Sequence, residues 1–174
     1  MQIPPSLAQL AACDKFQFEE EKLLSAASDV KPNYEPALTA ASKRLQILVV
    51  DDSAVSLTGS AMTVRTLGYI AHEAISGQAA LDILKVHSCA AILMDLQMPD
   101  MNGIECTRKI RTSETGSDSH IPIIGFSTMT EEDVIADCMN AGMDAYLTKG
   151  CSTEELAAVL KKFAGVPELA GHAA

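Results

Sequence analysis

No run of apolar residues in this chain approaches the roughly 20 needed to cross a bilayer, and positive charge is scarce. Thirteen lysines and arginines face 23 aspartates and glutamates, a formal net charge of -10 at pH 7. A surface of that sign does not grip phosphate backbones non-specifically, so direct nucleic-acid binding is not expected. Paired cysteines are missing as well. Cys13, Cys89, Cys106, Cys138 and Cys151 contain no CxxC spacing, which argues against both a zinc ribbon and a disulfide framework. They read as small buried hydrophobes of a reducing compartment. The four histidines, His72, His87, His120 and His172, lack the spacing of metal ligands. LAAC at positions 10–13 has the form of a lipoprotein cleavage box, but no Lys or Arg precedes it and Pro4-Pro5 interrupts the apolar core that such a leader needs. The expectation is a soluble, cytoplasmic chain with no membrane insertion.

What is present suffices for a core: 174 residues, 48% of them hydrophobic, suit one folded domain with an appendage. Residues 1–44 carry Pro4, Pro5, Pro32 and Pro36 and no sustained period. They read as a tail or linker with at most one short helix around 19–27. The rhythm changes at Leu45. Apolar runs LQILVV (45–50), YIAHEA (69–74), AAILMD (90–95), IPIIGF (121–126) and DAYLT (144–148) alternate with segments of helical spacing near 53–67, 77–86, 102–111, 130–141 and 152–163. Five strands alternating with five helices predict an α/β fold, a doubly wound five-stranded parallel sheet, because parallel strands need crossovers and helices supply them. LQILVV, AAILMD and IPIIGF are apolar almost throughout, as strands buried on both faces should be, whereas the mixed YIAHEA and DAYLT belong nearer the edges. The domain is expected to span 45–165, with 166–174 a short C-terminal tail.

In such a sheet the working site lies beyond the carboxyl ends of the strands. Asp51 and Asp52 follow the first run, Asp95 ends the third, Ser127 and Thr128 follow the fourth and Lys149 the fifth. Singly each has an ordinary role, as a helix cap, a strand end or a solvated charge. Together they make a site. Three neighbouring carboxylates need a cation to stay ionised, and oxygen donors without His or thiolate favour Mg²⁺, which shares its shell with phosphate oxygens. An ionised Asp so held can be a nucleophile toward phosphorus.

These residues carry a resemblance. ILVVDDS, MDLQMPDMNGIECTRKIR, IPIIGFST and GMDAYLTKG, in that order, resemble a two-component response-regulator receiver domain, in particular the receivers at the ends of hybrid histidine kinases. The resemblance implies the flavodoxin-like, CheY-like (βα)5 fold. It implies that Asp95 takes a phosphoryl group from the phosphohistidine of a histidine kinase or histidine phosphotransfer protein. Asp52 and Asp95 would bind Mg²⁺ directly, Asp51 through a water, and the Gln97 carbonyl would complete the shell. Lys149 would contact the phosphoryl oxygens, while Ser127 and Tyr146 would switch the surface of the fourth helix, fifth strand and fifth helix that a downstream protein target reads. Only self-directed phosphorylation and dephosphorylation is implied, not an enzyme.

Four positions stand out against the family pattern. Gly150 follows Lys149 where the family carries a cis proline, and Thr128 replaces a small residue, so that it is expected to narrow access to Asp95. Gln97 and Met129 stand where hydrolysis is tuned and neither is a charged base, which predicts a longer-lived acyl phosphate. Two other readings compete. A haloacid-dehalogenase-type phosphatase also uses a strand-end Asp with Mg²⁺ and Lys, but wants a second acid two residues on, where Gln97 stands. A degenerate receiver used only for docking would not need the retained acids, Ser127 and Lys149. Met94, Met98 and Met101 are expected to pack as core and loop anchors, and SETGSDSH (113–120) to be a solvated connection.

Overall fold

The computed structural model describes residues 44–167. The short helix expected around 19–27, Cys13 and His172 lie outside the described residues. Five strands, β1 (Gln46–Val50), β2 (Ile70–Ala74), β3 (Ala91–Met94), β4 (Ile123–Ser127) and β5 (Ala145–Thr148), alternate with five helices. These are α1 (Ala54–Thr66), α2 (Gly77–Leu84), α3 (Gly103–Glu114), α4 (Glu132–Asn140) and α5 (Thr153–Phe163). The sheet is parallel throughout, in the order β2-β1-β3-β4-β5. The mixed runs are the two edges, as their patterns predict. Every residue of β3 and β4 is buried.

Side-chain alternation along β1 divides the core into two layers. Ile47 and Val49 pack with Leu57, Ala61 and Val64 of α1 and with Leu156 and Leu160 of α5. Leu48 and Val50 face the other way, toward Ala80 of α2, Cys106 and Ile110 of α3 and Cys138 of α4. Burying each such Leu, Ile or Val contributes about 1.5–3 kcal/mol, so a strand buried on both faces is anchored from either side. Met94, Met98 and Met101 are all buried in the second layer, as core and loop anchors. Strand order reverses between β1 and β3, so the crevice where chemistry is expected opens at their carboxyl ends.

Local chemistry sets the element boundaries. Ser53, Ser76, Asn102 and Ser152 cap α1, α2, α3 and α5 with their side chains, and Ser152 with Glu155 forms a capping box. The fourth helix differs: Glu131 is at its N-cap without a side-chain hydrogen bond, and Glu132 and Asp133 occupy its first turn. Pro122 lacks an N–H, and β4 begins one residue after it, although the Pro122 carbonyl still accepts from the Ile92 N–H at 2.9 Å. SETGSDSH is not simply a solvated connection. Ser113 and Glu114 belong to α3, and the Glu114 carboxylate binds both the Arg111 guanidinium at 2.7 Å and the Ile121 N–H at 2.8 Å.

Candidate functional site

Three carboxylates meet at the β1 and β3 ends: Asp51, Asp52 and Asp95 bring ligand oxygens that all lie within 4.8 Å of one another. Asp51 and Asp95 are buried, 2% and 5% exposed, while Asp52 is exposed to solvent. The register explains the meeting. Val50 pairs with Met94, so the residues that follow them emerge side by side, and the Asp95 N–H donates to the Val50 carbonyl at 2.9 Å. From the end of β5, Lys149 reaches across with Nζ 2.7 Å from Asp51 Oδ2 and 3.1 Å from Asp95 Oδ2.

The charges perturb one another. Burial pushes the Asp95 carboxyl above its ordinary range, the Lys149 ammonium opposes that, and the Asp51 charge adds to it. For Lys149 burial acts downward, but its bonds to Asp51 and Asp95 outweigh burial and leave its pKa raised, which keeps it a cation. Asp95 Oδ1 accepts from the Leu96 N–H at 2.8 Å, and the Gln97 N–H also favours its ionised form. Gln97 itself is exposed, directly after the buried Leu96. An all-oxygen set of clustered carboxylates fits a hard divalent cation such as Mg²⁺ and suits neither zinc nor copper.

Ser127, 1% exposed, ends β4 beside this cluster, and its carbonyl accepts the Lys149 N–H at 2.8 Å. Its hydroxyl receives the Met129 N–H at 3.4 Å, and the Tyr146 hydroxyl donates to the Met129 carbonyl at 2.7 Å. One loop residue thus connects Ser127 to Tyr146. The Tyr146 ring packs over Gly125, where an added Cβ would come within 2.9 Å of it. Thr128 is exposed while its neighbour Ser127 is buried. The Lys149–Gly150 peptide is trans, and a Cβ at Gly150 would meet nothing within 4 Å.

Asp51, Asp52, Asp95 and Lys149 therefore meet in one cluster, with Ser127 joined to it through the Lys149 N–H and Tyr146 attached to Ser127 through Met129. Two others belong there and were not foreseen. Ser56, in the first turn of α1, donates its hydroxyl to Asp51 Oδ2. Gly103 opens α3 so close to β3 that an added Cβ would lie 2.1 Å from the Asp95 carbonyl oxygen. Of the ordinary roles open to the residues after β1, the helix cap falls to Ser53, while Asp51 accepts the Ser53 N–H at 3.0 Å and belongs to the cluster.

Comparison with known proteins agrees with this geometry. The family described as the response regulator receiver domain matches residues 47–161. Probable histidine kinase 4 of Oryza sativa subsp. japonica is 35% identical over 138 residues, covering 68% of this chain and 14% of the relative. Sensor histidine kinase GacS of Pseudomonas protegens is 31% identical over 152 residues, 83% of this chain and 16% of that protein. The chain thus spans only about a seventh of the length of these curated relatives. Among solved structures, the receiver domain of sensor histidine kinase PA1611 from Pseudomonas aeruginosa, with a magnesium ion coordinated in its active-site cleft, is 32% identical. It matches with a TM-score of 0.64, covering 70% of this chain and 98% of that one. Chemotaxis protein CheY4 of Vibrio cholerae is 25% identical with a TM-score of 0.63, covering 69% and 98%. With this fold, this rim of acids and this match, the chain belongs to the response regulator receiver domain family of two-component systems.

Proposed function

We propose that this receiver, spanning 45–165, accepts a phosphoryl group on Asp95 from a phosphohistidine and passes the change to a protein partner. The observation that carries the reading is the convergence of Asp51, Asp52 and Asp95 with Lys149 bridging two of them. A carboxylate oxygen of Asp95 attacks phosphorus, an O–P bond forms as the P–N bond breaks, and the electron pair leaves with the imidazole nitrogen. Lys149 supplies a fixed positive charge to the phosphoryl oxygens, and Ser127 supplies a hydroxyl. Asp52, Asp95 and the Gln97 carbonyl would hold Mg²⁺, with Asp51 acting through a water; when bound, the ion neutralises the charge gathered on the transferring group. Ser127 and Tyr146 share Met129, so a hydroxyl drawn toward the phosphoryl group pulls on the loop that the Tyr146 hydroxyl holds.

The donor is a histidine kinase or a histidine phosphotransfer protein, the setting is cytoplasmic, and the chain turns over no external substrate beyond losing its own phosphoryl group. Among the described residues no helix is long and apolar enough to cross a membrane. Acetyl phosphate with Mg²⁺ should give one phosphoryl adduct by intact mass and none on Asp95→Asn. An unmodified parent, or equal labelling of the variant, would reject the assignment.

A further inference from the structure

Asp51 is held at both of its carboxylate oxygens, and the Ser56 hydroxyl among its holders has no part in the reaction proposed above. Its Oδ1 accepts the Ser53 N–H at 3.0 Å, while Oδ2 receives both the Lys149 ammonium at 2.7 Å and the Ser56 hydroxyl. Ser56 could have turned to a backbone carbonyl one turn back, the usual resort of a helical serine. Thr63, Thr66, Thr107 and Thr112 all do so. Its hydroxyl instead leaves the helix to meet a buried carboxylate, a charge-assisted bond stronger than a neutral one.

We propose that Ser56 is a positioning residue that sets cation affinity by fixing the rotation of the Asp51 carboxylate. The inference rests on the reading of this rim as a Mg²⁺ site. Without Ser56, Oδ2 would depend on a flexible amine that also serves Asp95, and once that amine moved away only the Ser53 N–H on Oδ1 would hold Asp51. With Ser56 as a second donor on Oδ2, from α1, both oxygens keep a partner and the carboxylate plane stays set when that amine moves to a phosphoryl group. Outer partners of this kind typically change metal affinity by about 10–100-fold; because Asp51 acts through a water, the smaller end applies.

The test is Mg²⁺ titration of the phosphoryl-free protein by calorimetry or amide NMR, with parent, Ser56→Ala, Ser56→Thr and Asp52→Asn compared. Ser56 borders a cavity of about 360 Å³ between α1 and α5, so threonine has room for its methyl and keeps the donor. Ser56→Ala should bind Mg²⁺ roughly tenfold more weakly, with Ser56→Thr close to the parent. Labelling by acetyl phosphate should be slowed in Ser56→Ala at low Mg²⁺ and restored at saturation, a split that general loosening of α1 would not give. Equal affinity of Ser56→Ala and parent, or equal weakening by Ser56→Thr, overturns the role of Ser56. A parent that binds no more Mg²⁺ than Asp52→Asn instead overturns the site reading on which it rests.

Discussion

Gly103 is a helix-opening residue at which the usual preference for alanine is reversed. In an ordinary helix, Gly→Ala gains about 1 kcal/mol, but here the new Cβ would lie 2.1 Å from the Asp95 carbonyl oxygen and 3.0 Å from Leu96 Cα. These are backbone atoms and cannot rotate away. Gly103→Ala is expected to lose about 2–3 kcal/mol in urea unfolding and to slow labelling of Asp95, whereas Gly150→Ala, with open space around it, should be neutral. A Gly103→Ala protein as stable as the parent would refute the close-approach argument. The same contrast marks what a sequence discloses about a site. Asp51, Asp95 and Lys149 are legible because each stands where an apolar run stops. Ser56 and Gly103 are not, since a serine in a helix and a glycine at the start of one have many commoner uses, and only the fold brings them to the acids.

At the scale of elements, Arg111 fastens the end of the sheet opposite the acids. From the last turn of α3 it donates to the Gly142 carbonyl at 2.8 Å and the Ile121 carbonyl at 3.0 Å, and pairs with Glu114 at 2.7 Å and Asp144 at 2.8 Å. Asp144 in turn accepts the Ile123 N–H at 2.8 Å. One guanidinium thus joins α3, the entry to β4 and the entry to β5. Its side chain and those of its partners are at most 21% exposed, so Arg111→Ala takes the guanidinium from two half-buried carboxylates that keep only their N–H partners and His120, and should cost about 3 kcal/mol, the low end for a broken buried pair, read as a lower urea midpoint. A loss under about 0.5 kcal/mol would place the pair among exposed bridges of little worth. The elements themselves were largely legible, because strands buried on both faces must be apolar runs and edges must be mixed. Their ends were less so: α3 runs on to Glu114 through a polar stretch because Arg111 and the Ile121 N–H give that carboxylate partners, and no linear pattern displays a partner seven residues away.

For the molecule as a whole, the acidity is borne by the receiver: from Leu45 onward eight basic side chains face seventeen acidic ones. Phosphorylation would replace the single negative charge of the Asp95 carboxylate by the roughly one and a half to two of an acyl phosphate, a net gain of about half to one charge at its most crowded acidic point. The bridge from Lys149 to Asp51 and Asp95 bears on how such a molecule tolerates that crowding. The ammonium is a built-in counter-ion, so loading the site is an exchange of cations and not the filling of a bare anionic hole. Chelation therefore should not unfold the protein. In EDTA it should melt cooperatively, and Mg²⁺ at about 100 times its dissociation constant should add only the mass-action gain of about 2.7 kcal/mol. Collapse of the fold in EDTA would contradict this. On the function proposed above, a receiver furnished with its own counter-ion would wait for its donor without metal, folded and electrically settled, and would admit the ion and the phosphoryl group as the lysine turned from one carboxylate pair to the incoming oxygens.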